Sequence, residues 1–130
     1  MLDGEGRILL ARRAGEPERG KWDLPGGFIE EEEHPLDALV RELHEETGLE
    51  VEPLELAAIE TDRYGDGVDA PATLNLYWTA RVLSGEPAPA DDVSELRWLA
   101  PEELPPEDEV AFDNVARVLA RFRRPSEPVS

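Results

Sequence analysis

Residues 35–47, P-L-D-A-L-V-R-E-L-H-E-E-T, restrict the fold of this chain more than any other stretch. Leu36, Leu39, Val40 and Leu43 recur at the i, i+3, i+4, i+7 spacing of one helix face, so the segment is expected to be a helix resting on a core. Pro35 suits the first helical position and leaves His34 as the N-cap. Asp37 places a carboxylate near the positive helix end. Gly48 supplies the C-terminal stop. Glu42, Glu45 and Glu46 stand at i, i+3 and i+4 and share a second face, about 115° from the mean direction of the apolar stripe. The helix therefore has to lie with one side in the core and a triply anionic side next to it.

Short strand patterns surround this helix. Residues 7–13 read as a strand after a Gly4-Glu5-Gly6 turn. Residues 22–28 read as a short extended piece broken by Pro25-Gly26-Gly27. Residues 51–61 and 72–83 read as longer strands, and 93–99 as another. In the second long strand Leu74, Leu76, Trp78, Ala80 and Val82 alternate with Asn75, Tyr77, Thr79 and Arg81, the pattern of a half-buried strand. Residues 101–104 suggest one helical turn. A second helix is expected over 113–122, capped by Asp113 and striped by Val115, Val118, Leu119 and Phe122. Strands interleaved with two well-separated helices suggest a sheet covered on both faces, an α/β or α+β sandwich. One domain over 1–123 is expected, with 124–130 as a disordered tail.

Charge narrows the function. The chain has 31 acidic residues against 13 Lys and Arg, a net charge of −18. Such a field repels nucleic-acid polymers. It also repels small anions unless a bound cation reverses the local sign. With no cysteine, disulfides and thiolate metal sites are excluded. No apolar run approaches the ~18 residues needed to span a membrane. No signal-peptide pattern is seen at the start, so a cytoplasmic location is the default.

The like charges of Glu42, Glu45 and Glu46 repel on an otherwise bare helix, and a divalent cation turns that repulsion into binding. Oxygen-only ligands favour Mg²⁺, Mn²⁺ or Ca²⁺ over Zn²⁺. Mg²⁺ usually keeps waters and takes substrate phosphates as further ligands. A nearby carboxylate can then accept a proton from a bound water. The Gly26-Gly27 turn can offer backbone carbonyls or amides to the same place. Spacing alone leaves open a solvated acidic face in a very acidic protein.

The whole stretch 27–49 resembles the Nudix box, G-x5-E-x7-R-E-U-x-E-E-x-G-U with U a bulky aliphatic. Every fixed position is filled, by Gly27, Glu33, Arg41, Glu42, Leu43, Glu45, Glu46, Gly48 and Leu49. The flanks G-K-W-D-L-P-G-G and E-L-R-W-L-A-P-E-E-L also look like the family, so the resemblance runs over about residues 6–122. It implies an α/β/α sandwich with a mixed sheet and metal-dependent hydrolysis of a diphosphate linkage in a nucleoside diphosphate derivative. ADP-ribose, a dinucleotide, a nucleotide sugar and a modified nucleoside triphosphate all fit. The segment A-F-D-N before the last helix leans towards ADP-ribose. A non-catalytic nucleotide sensor on the same fold is the alternative, although such sensors usually lack a box glutamate.

By position, the resemblance makes Glu42, Glu45 and Glu46 the ligands of Mg²⁺ or Mn²⁺, with the Gly27 or Gly26 carbonyl as a further ligand. Glu42 or Glu46 is the general base, Glu33 an accessory carboxylate, and Arg41 orients the glutamates through ion pairs. Asp92 and Glu95 are candidates for an additional acid. Arg13, Trp22 and Tyr64 are candidates for substrate contact, against packing or solvent-facing roles. Family members usually carry a strand before the one at 7–13. Here that first strand is expected to be missing or shortened, which leaves a sheet edge open to a second copy.

Overall fold

The computed structural model describes residues 6–63, 71–90 and 92–123. Strand β1 (Ile8–Arg13) is the centre of a three-stranded sheet in the order β2-β1-β5, with β2 (Trp22–Asp23) and β5 (Val93–Leu99) both antiparallel to it. A parallel bridge between Trp22 and Val110 gives the sheet its mixed character. Ile8, Leu9, Leu10 and Ala11 are all buried, as expected of a strand covered on both faces.

The two faces belong to two cores. Ile8 and Leu10 pack with Trp22, Val110, Val115 and Leu119, beneath helix α2 (Asp113–Arg123). Leu9 packs on the other face with Leu43, Leu49, Val51 and Ala80, beneath helix α1 (Pro35–Thr47). The arrangement is the expected α/β/α sandwich. Two 3₁₀ turns, Pro101–Glu103 and Glu107–Glu109, lead from β5 to α2. Among the described residues no helix is long and apolar enough to cross a membrane.

Among the described residues the long strands β3 (Glu50–Arg63) and β4 (Ala72–Ser84) pair with each other alone, antiparallel, with register shifts between residues 50 and 58. Here the alternation expected for β4 fails along half its length. Ala80 is buried and Val82 packs on the α1 core, but Leu74 is 68% exposed and Leu76 37%. At that end the alternate residues, Asn75 and Tyr77, are half-buried instead. The cause is length. A 13-residue strand extends ~43 Å, whereas the 13-residue helix it covers is ~20 Å long. Each face of the ribbon is therefore buried along only part of its run. Leu54, Leu56 and Ile59 of β3 are exposed as well, which gives the hairpin a bare apolar flank.

Candidate active site

Helix α1 begins and ends where its local signals place it. The His34 Nδ1 accepts from the Leu36 N–H at 3.1 Å, and Pro35 opens the helix. Gly48 closes it at φ 76°, with its N–H donating to the His44 carbonyl at 2.9 Å. Leu43 and Ala38 are buried, and Leu39 and Val40 pack on the α1 core. That docking turns Arg41, Glu42, Glu45 and Glu46 towards the segment between β2 and α1.

Arg41 is the hub of the acidic cluster. Its Nε donates to Glu33 Oε2 at 2.8 Å and its Nη2 to Glu33 Oε1 at 2.9 Å, a two-pronged pairing. Its Nη1 reaches Glu42 Oε1 at 2.8 Å and Glu45 Oε2 at 3.3 Å, and lies 3.6 Å from Glu30 Oε1. Its Nη2 also donates to the Phe28 carbonyl at 3.2 Å. The Arg41 fork, helped by the Glu30 N–H, holds the Glu33 carboxyl down at about 2. Hydrogen bonding to Glu33 in turn holds the Arg41 guanidinium above its ordinary value.

Glu46 sits apart from that hub. Its Oε1 accepts from the Gly26 N–H at 2.7 Å. The neighbouring Gly27 faces the Glu42 carboxylate so closely that a Cβ there would overlap it. The two glycines thus form a notch into which Glu42 and Glu46 point from the same helix. Among the described residues no three acidic or histidine side chains stand in a ready-made metal cage, because Arg41 draws Glu33, Glu42 and Glu45 to itself. The donor set nevertheless suits a hard divalent ion. All its members are oxygens, and two converge on a notch without side chains.

The described substrate-contact candidates make contacts of their own. Arg13 is engaged, its Nη1 on Asp23 Oδ2 at 3.1 Å, its Nε on the Pro17 carbonyl at 2.7 Å, and its guanidinium 5.1 Å from the Phe112 ring centre. Burial is the largest influence on that Asp23 carboxyl and raises it. Trp22 offers no stacking face: it is 5% exposed in the α2 core, with Arg12 4.6 Å above its ring. Glu95 pairs with Arg12 at 3.3 Å and Arg97 at 2.6 Å on β5. Asp92 is exposed, and its carbonyl accepts from Ala14 N–H at 2.7 Å. Tyr64 and the tail 124–130 lie outside the described residues.

Two features went unanticipated. Glu30 joins the Arg41 hub, but in the run E-E-E-E nothing distinguished it from its neighbours. An apolar cavity of about 60 Å³ lies between the helix layers, lined by Leu24, Pro25, Leu39, Tyr77, Val118 and Phe122 among others. Burial, with Asp23, Glu60 and Asp62 nearby, pushes the Tyr77 hydroxyl well up, so it stays neutral. Pro25 lines this cavity and immediately precedes Gly26, which links the cavity to the notch.

A fold of two helices about paired sheets, with an arginine-centred acid cluster on one helix, defines a class of small α/β domain with an acidic site. The chain belongs to the Nudix family: residues 1–122 match the NUDIX domain, and the protein is a Nudix hydrolase of the pyrophosphatase kind. It is 40% identical over 108 residues to a Mycobacterium tuberculosis protein provisionally named 8-oxo-dGTP diphosphatase 2, a match covering 82% of this chain and 73% of that one. It is 32% identical over 116 residues to an ADP-ribose pyrophosphatase of Methanocaldococcus jannaschii, covering 88% of this chain and 64% of that one. The crystal structure of a MutT NUDIX hydrolase from Burkholderia pseudomallei superposes with a TM-score of 0.76 at 30% identity, covering 89% of this chain and 88% of that one.

Proposed function

We propose that this chain hydrolyses the P–O–P anhydride of a small nucleotide, a modified purine nucleoside triphosphate first and ADP-ribose second, with Mg²⁺ or Mn²⁺. The observation that carries the reading is the pair of carboxylates, Glu42 and Glu46, aimed at the Gly26-Gly27 notch while Arg41 gathers Glu33 and Glu45 beside them. Glu42, Glu45, Glu46 and the Gly27 carbonyl would hold the ion. When bound, the ion neutralises diphosphate charge and acidifies a ligated water. Glu46 accepts the proton of the attacking water, since its carboxylate is held in one orientation by the Gly26 N–H. Arg41 and Glu33 keep the ligand set aligned.

The apolar cavity beside Pro25 supports an aromatic base as the organic part of the substrate. At about 60 Å³ it is far smaller than the ~300–1,000 Å³ of full ligand pockets, so a base enters by displacing side chains such as Tyr77. The Mycobacterium relative's name favours the triphosphate, and the Methanocaldococcus relative's name keeps ADP-ribose as the second reading. The net charge of −18 weighs against polymeric nucleic acid. A homodimer is part of the same proposal, for sedimentation to decide.

A substrate panel of dGTP, 8-oxo-dGTP, ADP-ribose and NADH, each with Mg²⁺ or Mn²⁺, tests this reading. Water adds to one phosphorus and one P–O bond breaks, so a triphosphate yields monophosphate and pyrophosphate, and ADP-ribose yields AMP and ribose 5-phosphate. Turnover of at least one is expected. Saturable binding without turnover on any of them would establish the sensor instead.

A further inference from the structure

Helix α1 ends with carbonyls that no intrahelical N–H can reach. The His44 carbonyl is taken by Gly48, and those of Glu46 and Thr47 are taken by a segment far along the chain, between β4 and β5. Ala88 N–H donates to the Thr47 carbonyl at 2.8 Å, and Ala90 N–H donates to the Glu46 carbonyl at 3.2 Å. The segment reads Gly85-Glu86-Pro87-Ala88-Pro89-Ala90. Proline has no N–H, so over residues 87–90 the two alanines are the sole backbone donors, and both are aimed at the helix end. The alternating prolines also restrict the strap's own freedom.

One glycine lets the strap lie flat. Gly85 has φ 101°, and a Cβ there would come within 2.6 Å of the Gly48 carbonyl oxygen. The helix end is rigid as well. Thr47 is fully buried, its hydroxyl donating to the Leu43 carbonyl and accepting from the Leu49 N–H at 3.2 Å. Glu46 is thereby held from both sides, its carbonyl by the strap and its carboxylate by Gly26.

We infer that residues 85–90 are a positioning strap, which sets the last turn of α1 so that the Glu46 carboxylate meets the Gly26 N–H. This rests on the role given to Glu46 above. The strap touches no reacting atom and acts through the helix. A misplacement of the Glu46 carboxylate by about 1 Å is enough to cost up to ~100-fold in rate.

Ala90→Pro removes the donor to Glu46 and Ala90→Gly keeps it; Ala88→Pro and Ala88→Gly form a second pair at Thr47. The readouts are the Gly26 amide proton shift and exchange rate by NMR in the metal-free protein, the melting temperature, and kcat and KM separately on the substrate that the panel identifies. The proline variants are expected to move the Gly26 amide upfield and speed its exchange. They are also expected to lower kcat by roughly 10–100-fold with KM little changed. The glycine variants should restore both. A folded proline variant with an unmoved Gly26 amide and normal kcat overturns the strap. An amide that moves while kcat holds supports the strap and overturns the role of Glu46 instead. If Ala90→Pro does not fold, Ala88→Pro is judged by the same criteria.

Discussion

Glu46→Gln is expected to lower kcat by at least about 100-fold without unfolding the protein, the scale on which a general base contributes. Glutamine keeps an oxygen that can accept from the Gly26 N–H, so the 2.7 Å contact that orients the side chain survives. What goes is the negative charge and the capacity to take a proton. Steady-state kinetics on the substrate found by the panel, with a thermal melt on the same preparation, checks this. Near-normal turnover in the folded variant would remove Glu46 from the chemistry and pass the base to Glu42, which points into the same notch.

Arg41→Lys is expected to cost roughly 10–100-fold in activity or in Mn²⁺ affinity, the usual toll for losing a group that orients metal ligands. Charge is conserved in this substitution and geometry is not. An ammonium is a point charge without a planar fork, so it cannot grip both Glu33 oxygens while also reaching Glu42, Glu45 and the Phe28 carbonyl. The variant should also respond differently to acid. With the Glu33 carboxyl at about 2 in the folded protein against an ordinary 4.5, the Glu33–Arg41 pair contributes fully above about pH 4.5, and that contribution fades as pH falls towards 2. Part of the fall in melting temperature over that window therefore belongs to this pair, and it should shrink in Arg41→Lys. Identical acid profiles for the two proteins would show that the pairing does not matter in solution.

What could be read in the chain followed the range of its signals. His34, Pro35 and Gly48 act on the two or three residues beside them, and the limits of α1 matched those expected, as did β5. The Arg41 contacts to Glu33, Glu42 and Glu45 lie within one helix and the loop before it, a stretch that the Nudix box spans, so the resemblance pointed to them. The faces of β4 could not be read in this way, because parity shows which residues share a face and not how far a neighbouring helix extends to cover it. For Trp22, Arg13 and Glu95 the sequence left substrate contact and packing or solvent-facing roles both open. Their surroundings are Arg12, Asp23, Phe112 and Arg97, groups brought together by sheet pairing and by the α2 core rather than by any local spacing. The strap was invisible for a similar reason. A Pro-Ala-Pro-Ala run looks like an ordinary loop until the two N–H groups it retains are seen to meet a helix end.

The guanidinium at the centre of the acid cluster also bears on the order of events in assembly. Small metallodomains often stay unfolded until their ion arrives, because nothing else relieves the crowding of their ligands. Here the chain carries a permanent counter-ion of its own, covalently attached and tied to Glu33, Glu42 and Glu45. Folding and loading are therefore expected to be uncoupled. Under the proposed metal dependence, excess chelator should abolish turnover while leaving the melting curve almost where it was, and returning Mg²⁺ should restore activity at once, with no refolding lag.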